Sequence, residues 1–593
     1  MQSRLGQRPL RWGDKIPYVI IVCLYVSTIL LVDPRGEFPL NDDWSYTRSA
    51  LQFARGNGMH VDEWAAPSLI GQTLYGSLLI RIFGMKFLVL RLSTLAASCA
   101  IALGLWFALA RLGTGSWAAW VAVLAWIFSP LQLNLSFSYM TEVPFLLCIG
   151  ASMVLYLSYL SRHVLWLPAL AGIVLGYAFL IRQTAVLFVA ALIIAILVDR
   201  TGKLRERARA AILVAASAGL FMAGYYAWLE LQGGTTPATR RKFELLRYLT
   251  AEQLAGNSFG LLFYMAFLLL PLWVVLFPTA LRLSGRLSRR ARIGCVAGWL
   301  VVCGAGLWWF QSHYSGRPYL PSKAFHSRMP FLLNVLYDTG VGPVTLDPAY
   351  FGASPLPTYP RAWLIVTGAT ALGLVMAGLL FSAGLFRRLS GNEPLKPALV
   401  FFMLSFASVA GFEIVFSHLQ EGGLFDRHLV IAAFPLCLAA CLLEGTSQIS
   451  SRHPAGSQSS REIRNAPAFL QPVFRTAALL TLGAAAAFSI SATHDYLEWN
   501  RLRWNLGNTA LASGVNPLDL SAGFEFNGWQ NYEVFRRRGH VEATFQWWYD
   551  TRDYLISMTQ ETGYRVLRQE AFFSWVHRRT VPLYLLEKCA PDG

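Results

Sequence analysis

The chain has 593 residues, of which 55% are hydrophobic and only 14% are charged, and its formal net charge is +17. Apolar runs long enough to cross a bilayer recur from the N-terminus to about residue 492, which excludes a soluble globular protein. In a soluble domain this charge would suggest nucleic acid, but here much of the Lys and Arg lies in short loops between apolar runs, as the positive-inside bias predicts. We therefore expect an integral membrane protein with no nucleic-acid partner.

Apolar periodicity and length predict about thirteen membrane helices. They cover approximately residues 16–33, 87–110, 116–134, 143–160, 164–181, 183–198, 211–230, 259–281, 293–310, 363–386, 398–417, 428–447 and 473–492. The first is kept as a helix of the mature protein, because no small-residue cleavage site follows it. The stretch 164–198 is divided in two, because one helix would be about 50 Å long, far beyond a hydrocarbon core of about 30 Å.

The basic loops orient these helices in the membrane. With two helices in 164–198, the loops 199–210, 282–292 and 387–396 fall on the side of the basic N-terminus, which predicts a cytoplasmic N-terminus. Because successive membrane helices cross in opposite directions, this orientation assigns several segments to the extracytoplasmic side. These include the loops 34–86, 231–258 and 311–362 and everything after residue 492.

The last hundred residues differ in kind from the rest. They mix charges with aromatic residues, and the alternating stretch YRVLRQEAFFSWV, 564–576, predicts strands. We predict a membrane domain, 1–492, and a small extracytoplasmic α/β domain, 493–593. The stretch SAGFEFNGWQNYE, 521–533, combines groups that bind sugars well, but packing in the core of the small domain is the favoured interpretation.

Two adjacent carboxylates, Asp42 and Asp43, follow the first apolar segment, with Tyr46 beside them and a helical pattern after them. One explanation is structural: Asn41 or Asp42 caps that helix and the second acid complements its dipole. The other is chemical: one carboxylate acts as general base on a hydroxyl, while the other positions that hydroxyl or helps to hold a divalent cation. The residues alone leave both explanations open.

The order of these features resembles a known family. An acidic pair, a Tyr, a loop helix and then IRIFGMKFLVLRLST, 80–94, leading into the next membrane helix, are similar to the GT-C membrane glycosyltransferases. The closer similarity is to family 39, which includes protein O-mannosyltransferases, the aminoarabinose transferase of lipid A and the RgtA/B/C/D-like enzymes. The resemblance implies a GT-C-like fold and transfer of a sugar from a polyprenyl-phosphate carrier outside the membrane. It assigns catalysis to Asp42 and Asp43 and substrate binding to Tyr46. Which aspartate is the base stays open, because the second position is Glu in the family.

Two further motifs match this family. Glu142 lies at the outer end of a membrane helix in SFSYMTEVPFLL, 136–147, where an acid followed by Pro144 is also favoured for backbone reasons alone. The resemblance makes Glu142 a second outer acid, a metal or acceptor contact. Arg182 follows the stretch GYAFLI. A lone Arg at such a position commonly extends its side chain to the lipid headgroups. The resemblance instead assigns Arg182 to the carrier phosphate, because a planar guanidinium can pair with two phosphate oxygens.

Basic residues in later outer segments complete the candidate site. Arg427 begins a late membrane helix beside Asp426 and His428; a local ion pair explains it, and the resemblance implies a substrate contact. The segment 311–362 carries three further basic residues. One explanation is that they are solvated near the lipid headgroups; the other is that their loop closes over an anionic lipid phosphate. They are Arg317, Lys323 and Arg328.

The resulting hypothesis is an inverting transfer of a sugar from polyprenyl phosphate to an acceptor hydroxyl of a glycan, lipid or protein. A divalent cation remains an open cofactor, and membrane lipids are the expected surroundings. A bacterial plasma membrane is the expected location, since nothing indicates a retention signal for the endoplasmic reticulum. The rival hypothesis is a transporter or flippase for lipid-linked saccharides, but transporters place charged groups near the midplane, whereas the acids here cluster in outer loops.

Overall fold

The computed structural model describes residues 12–200, 202–232, 234–235, 237–285, 287–313, 332, 334–342, 356–389, 395–417, 424–452, 470–539 and 548–589. The helices are α1 (Trp12–Val32), α2 (Asp43–Ala54), α3 (Ile70–Phe83), α4 (Phe87–Arg111), α5 (Ser116–Ile127), α6 (Pro130–Ser136), α7 (Glu142–Arg162), α8 (Trp166–Ile181), α9 (Ala185–Val198), α10 (Leu204–Leu231), α11 (Pro237–Leu245), α12 (Ala251–Leu268), α13 (Leu270–Ser284), α14 (Arg289–His313), α15 (Pro360–Leu389), α16 (Lys396–Phe416), α17 (Leu429–Arg452), α18 (Leu470–Ala512) and α19 (Phe524–Arg537). The strands are β1 (Leu336–Tyr337), β2 (Gly340–Val341), β3 (Leu520–Ser521), β4 (Tyr554–Ser557), β5 (Tyr564–Ser574) and β6 (Arg579–Lys588).

The prediction of a polytopic α-helical membrane protein is confirmed. Among the described residues, nine helices are long and apolar enough to cross a membrane, or up to eleven if each of two bent helix pairs counts as one span. With the shorter apolar helices α8 and α9, they coincide one for one with the predicted apolar segments. The count of about thirteen crossings, and the side on which each loop lies, stay predictions.

The observed helix breaks agree with the predicted helix boundaries in one segment and differ from them in two. Helix α8 ends at Arg182, whose backbone is extended (φ −145°, ψ 129°), as the division of 164–198 predicted. The segments 116–134 and 259–281, each predicted as one helix, are bent pairs, with 56° between α5 and α6 and 86° between α12 and α13. Pro130 and Pro271 lie in the first turn of the second helix of each pair. Proline lacks the N–H that would continue the preceding helix, so it begins a new one.

Helix α18 is much longer than predicted. It has 43 residues, which is about 65 Å at 1.5 Å per residue, and it continues well past residue 492, the predicted end of the last membrane helix and of the membrane domain. Its second half carries buried side chains such as Tyr496, Trp499 and Arg503. Hydropathy detected only the apolar half, because the other half carries polar residues that pack against the C-terminal residues.

The C-terminal residues form the predicted small sheet. The strand order is β3-β4-β6-β5; β3 pairs with β4 in parallel, and the other neighbours are antiparallel. Helix α19 connects β3 to the stretch that leads to β4. The strand predicted in 564–576 is β5, which forms a long hairpin with β6. We call residues 513–589 the C-terminal sheet region.

A buried ion pair connects the C-terminal sheet region to α18 and to the segment that precedes α2. The carboxylate of Glu525 accepts from Arg503 Nη2 at 2.8 Å, from the Tyr496 hydroxyl at 3.3 Å and from the backbone N–H of Asn41 at 3.1 Å. Asn527 is also buried, and its side chain bonds the backbone groups of Leu520 and Ala522. The interpretation of 521–533 as a packing stretch is therefore confirmed.

We expect Glu525→Gln to destabilise the protein by about 3 kcal/mol, since removing one partner of a buried pair leaves an uncompensated charge. The side chains of Arg503 and Glu525 are 2% and 0% exposed. Thermal unfolding of the purified protein measures the effect. The matched control is Glu587→Gln in the same region: its partner Arg565 is 67% exposed, so a melting temperature close to wild type is expected, because exposed ion pairs contribute little to stability. Equal melting temperatures for the two variants would contradict the structural role of Glu525.

A small hairpin, formed by the two-residue strands β1 and β2, contacts the start of α17. The Asp426 carboxylate accepts the backbone N–H groups of Val335, at 3.1 Å, and Leu336, at 2.7 Å, next to β1 and β2. The hairpin also packs on α18, since a side chain at Gly342 would collide with the ring of Tyr496. Asp426 is thus used structurally rather than as the local partner of Arg427, which frees Arg427 for other contacts.

Candidate active site

Asp42 occupies the N-cap position of α2 but does not use its side chain as a cap. Its carbonyl oxygen accepts the backbone N–H of Ser45 at 3.1 Å, whereas its carboxylate makes no capping hydrogen bond. One carboxylate oxygen, Oδ2, accepts from Arg427 Nη2 at 2.8 Å, and the other, Oδ1, accepts from Trp64 Nε1 at 3.0 Å. The capping explanation of Asp42 therefore does not hold, and its carboxylate remains for chemistry.

Asp43 has a different environment from its neighbour. Its side chain is buried, and its two oxygens accept the backbone N–H groups of Leu40, at 2.6 Å, and Tyr139, at 3.0 Å. Burial raises the pKa of the Asp43 carboxyl well above its usual range, while the two N–H groups act in the opposite direction. Asp43 thus holds the start of α2 against the turn that precedes α7.

Glu142 is the first residue of α7 and lies between two arginines. Its Oε1 atom is 2.9 Å from Nη1 of Arg182 and 3.7 Å from Nε of Arg427. Arg182 also donates to the Thr141 hydroxyl at 2.9 Å. The Glu142 side chain is only 1% exposed, so two guanidinium groups and a carboxylate are held together away from bulk water, where electrostatic interactions are strong.

Arg427 joins the two acidic positions. It donates to Oδ1 of Asn41 at 3.0 Å and to Asp42 at 2.8 Å, while its Nε faces Glu142. A short 3-10 turn, Asp426–His428, sets its direction. His428, the next residue, contacts Glu413 at 3.2 Å and lies 3.9 Å from Glu142. We call Asp42, Glu142, Arg182 and Arg427 the charged cluster.

The charged cluster contains buried polar atoms that lack a partner. Oε2 of Glu142 and Nε of Arg427 make no hydrogen bond among the residues that the structure describes. Such atoms are costly in a buried site. The cluster can therefore accept a polar ligand, with a donor group toward Glu142 and an anionic group toward the arginines.

Four of the residues predicted from the sequence thus come together in the charged cluster, and Tyr46 is buried beside it. Burial raises the pKa of the Tyr46 hydroxyl, and the nearby charge of Asp42 adds to that shift. Three predicted residues, Arg317, Lys323 and Arg328, lie outside the described residues. Within the described part of the chain, no group of three or more His, Cys, Asp or Glu side chains is arranged to hold a metal ion.

Sequence reasoning missed two contacts of the charged cluster: Trp64 donates to Asp42, and Asn41 accepts from Arg427. Trp64 follows an acidic pair in a loop without a recognisable motif, so no sequence signal marks it. Asn41 was considered only as a helix cap. Its backbone has a positive φ of 57°, a conformation that Asn adopts more readily than most residues. That conformation and the preceding Leu40 place both Asn41 and Asp42 at the start of α2.

Comparison with protein families gives a direct match. Residues 74–228 match the family model described as "Dolichyl-phosphate-mannose-protein mannosyltransferase". The predicted resemblance to family 39 of the GT-C glycosyltransferases is confirmed. The matched segment contains Glu142 and Arg182 of the charged cluster, whereas Asp42 and Arg427 lie on either side of it.

Solved structures of membrane glycosyltransferases also align with the chain. ArnT from Cupriavidus metallidurans bound to undecaprenyl phosphate aligns at 13% identity over 74% of this chain and 79% of its own, with a TM-score of 0.34. The archaeal oligosaccharyltransferase AglB from Archaeoglobus fulgidus, in complex with an inhibitory peptide and a dolichol-phosphate, aligns at 14% identity over 82% of this chain and 56% of its own, with a TM-score of 0.41. At these scores the alignments do not by themselves define a common fold. A comparison with curated proteins found no match.

Proposed function

We propose that this membrane glycosyltransferase moves a sugar from a polyprenyl-phosphate donor to an acceptor hydroxyl on the extracytoplasmic side of a bacterial plasma membrane. The observation that carries the proposal is the Asp42 carboxylate. It lies at a helix start without capping it, and it is oriented by Arg427 beside a second acid and a second arginine. The description of the matching family, which names a lipid-phosphate sugar, supports the class of donor.

Asp42 acts as the general base in this proposal. The acceptor oxygen attacks the anomeric carbon of the sugar while Asp42 takes the hydroxyl proton. The bond between the anomeric carbon and the phosphate oxygen breaks, and the lipid phosphate leaves with the electron pair. One bond forms and one breaks at the same carbon from opposite faces, so the configuration inverts. Asp43 is unsuited to this role because its side chain is buried and holds two backbone N–H groups in place, whereas the Asp42 side chain is 15% exposed.

The arginines stabilise the charge that grows on the departing phosphate. Arg182 and Arg427 lie on two sides of Glu142, and each guanidinium offers several donors in a fixed plane. Donors fixed before the reaction stabilise developing charge without reorganisation. Glu142 orients both guanidiniums in this proposal, and its free oxygen is available to the acceptor. Arg317, Lys323 and Arg328 remain proposed contacts to the lipid phosphate.

The proposal is tested with purified protein in nanodiscs, supplied with a panel of polyprenyl-phosphate sugars and a bacterial lipid and glycan extract as acceptor. Mass spectrometry follows donor consumption and release of free polyprenyl phosphate. Release from one donor, together with a glycosylated product, is the expected result. If no donor is consumed while a lipid-linked sugar changes leaflet in proteoliposomes, the protein is a transporter instead.

We expect Cys589 to react with a membrane-impermeant maleimide from the extracytoplasmic side. Cys589 is exposed in the C-terminal sheet region, which the positive-inside bias assigns to that side. Labelling of intact spheroplasts is compared with labelling of inverted vesicles, by mass spectrometry of the peptide. Detergent-solubilised membranes give the full reactivity of Cys589, and the Cys589→Ser variant gives the background from the other cysteines, which lie in apolar segments. Labelling only in inverted vesicles would reverse the proposed orientation.

A further inference from the structure

Two outer parts of the chain share an aromatic cluster next to Asp42. We define the aromatic cluster as Trp44 and Trp64 from the first outer segment with Phe524, Tyr532 and Trp548 from the C-terminal sheet region. Their ring centroids lie between 5.1 and 6.3 Å apart in the contacts described for Trp44 and Trp64. Most of these pairs are tilted or edge-to-face, the arrangements that aromatic rings favour. The cluster therefore fixes the ring planes of both tryptophans.

Trp64 connects this cluster to the charged cluster. Its indole N–H donates to Oδ1 of Asp42 at 3.0 Å, while Oδ2 of Asp42 is held by Arg427. The indole N–H groups of Trp44 and Trp548 are buried but have no hydrogen-bond partner within the described ranges. The three tryptophans thus share one environment, and Trp64 differs from the other two by a hydrogen bond to the carboxylate.

We infer that Trp64 is a positioning residue for Asp42, and that the C-terminal sheet region sets the orientation of Trp64. This inference rests on the proposed function of Asp42 as general base. A donor on each carboxylate oxygen fixes rotation about the Cβ–Cγ bond, whereas a donor on one oxygen leaves it free to turn. A catalytic group must be held within about 0.5 Å and 10–20° of its productive geometry. Phe524 and Trp548 contact the Trp64 ring at 5.7 and 5.1 Å, so the terminal region contributes to the active site without touching substrate.

The test compares Trp64→Phe with Trp548→Phe. Both variants remove one indole N–H and part of a ring from the same cluster, but only the first removes a hydrogen bond to Asp42. For Trp64→Phe we expect kcat of sugar transfer to fall by about ten-fold, with the KM for the donor within about two-fold of wild type, because the loss is one of orientation rather than of binding. Trp548→Phe keeps the hydrogen bond from Trp64 to Asp42 and leaves a smaller aromatic ring against Trp64, so we expect kcat to fall by no more than about two-fold, with KM close to wild type. Thermal unfolding is measured for both variants.

The outcomes separate this inference from the proposed function. If wild-type protein transfers sugar and the two variants have the same kcat, the inference is overturned and the proposed function stands. If wild-type protein transfers no sugar from any donor, the proposed function fails. Should Trp64→Phe fail to fold, a benzothiophene analogue of tryptophan is incorporated at position 64, which keeps both fused rings and replaces only the N–H by sulfur. The same ten-fold fall in kcat is then expected, and an unchanged kcat overturns the inference.

Discussion

Asp42→Asn is expected to lower sugar transfer by about 100-fold or more while the protein remains folded. The substitution keeps the size of the side chain and an oxygen that accepts a hydrogen bond, but it removes the proton acceptor. A general base commonly contributes between about 10² and 10⁴ to the rate. The release of polyprenyl phosphate in nanodiscs measures the loss, and thermal unfolding checks that the fold is intact.

The matched control is Asp33→Asn, at the start of the same outer segment. Asp33 also pairs with an arginine, Arg35, at 2.7 Å, but it lies outside the charged cluster, and Asn tolerates its positive φ of 56°. Transfer close to wild type is expected for this variant. If Asp42→Asn transfers sugar as fast as Asp33→Asn, another group is the base. Asp43→Asn is not equivalent, because its carboxylate holds two backbone N–H groups and its loss acts first on folding.

Arg427→Lys is expected to lower kcat/KM for the donor by about 10- to 100-fold although the charge is kept. The guanidinium of Arg427 contacts Asn41 and Asp42 with separate nitrogens and turns its Nε toward Glu142. A lysine ammonium is a single point charge and does not reproduce that planar arrangement. Misplacement of a catalytic group by about 1 Å is enough for a loss of this size. Steady-state kinetics with the donor found by the panel assay provides the measurement.

Arg81→Lys is the control for this second substitution. Arg81, on helix α3, donates to the backbone oxygens of Phe53 and Ala54 at an exposed position. Lysine keeps the positive charge there, and water can take over the lost hydrogen bonds. Kinetics near wild type are expected. Retention of full activity in Arg427→Lys would show that Arg427 contributes charge alone, and the proposed orientation of Asp42 by its guanidinium would be wrong.

The sequence predicted the elements that depend on local composition. Apolar segments of membrane-spanning length were located correctly, because lipid exposure demands a continuous run of apolar residues. The break at Arg182 was predicted because a single helix over 164–198 would be far longer than the hydrocarbon core is thick. The bends at Pro130 and Pro271 were missed, since hydropathy averages over a window and takes no account of the missing N–H of proline. The polar half of α18 was missed because protein rather than lipid covers it.

The charged cluster was predicted only in part. The family resemblance pointed to Asp42, Asp43, Glu142, Arg182 and Arg427, but their number and order along the chain did not separate the two aspartates. The tertiary structure separates them: the Asp43 oxygens accept backbone N–H groups, whereas the Asp42 oxygens face side chains. That difference comes from the conformation of the turn at Asn41, which a sequence pattern does not specify.

By itself, then, the sequence determined the class of protein and the positions of its membrane segments, because both follow from the solvation of short stretches. A family resemblance added the acids and arginines that suit phosphate chemistry. Only the tertiary structure decided which groups meet. Asp42 and Arg427 are 385 positions apart in the chain, and Asn41 meets Glu525 across 484. Contacts at such separations depend on the packing of the whole helical bundle against the C-terminal sheet region, and no local pattern encodes them.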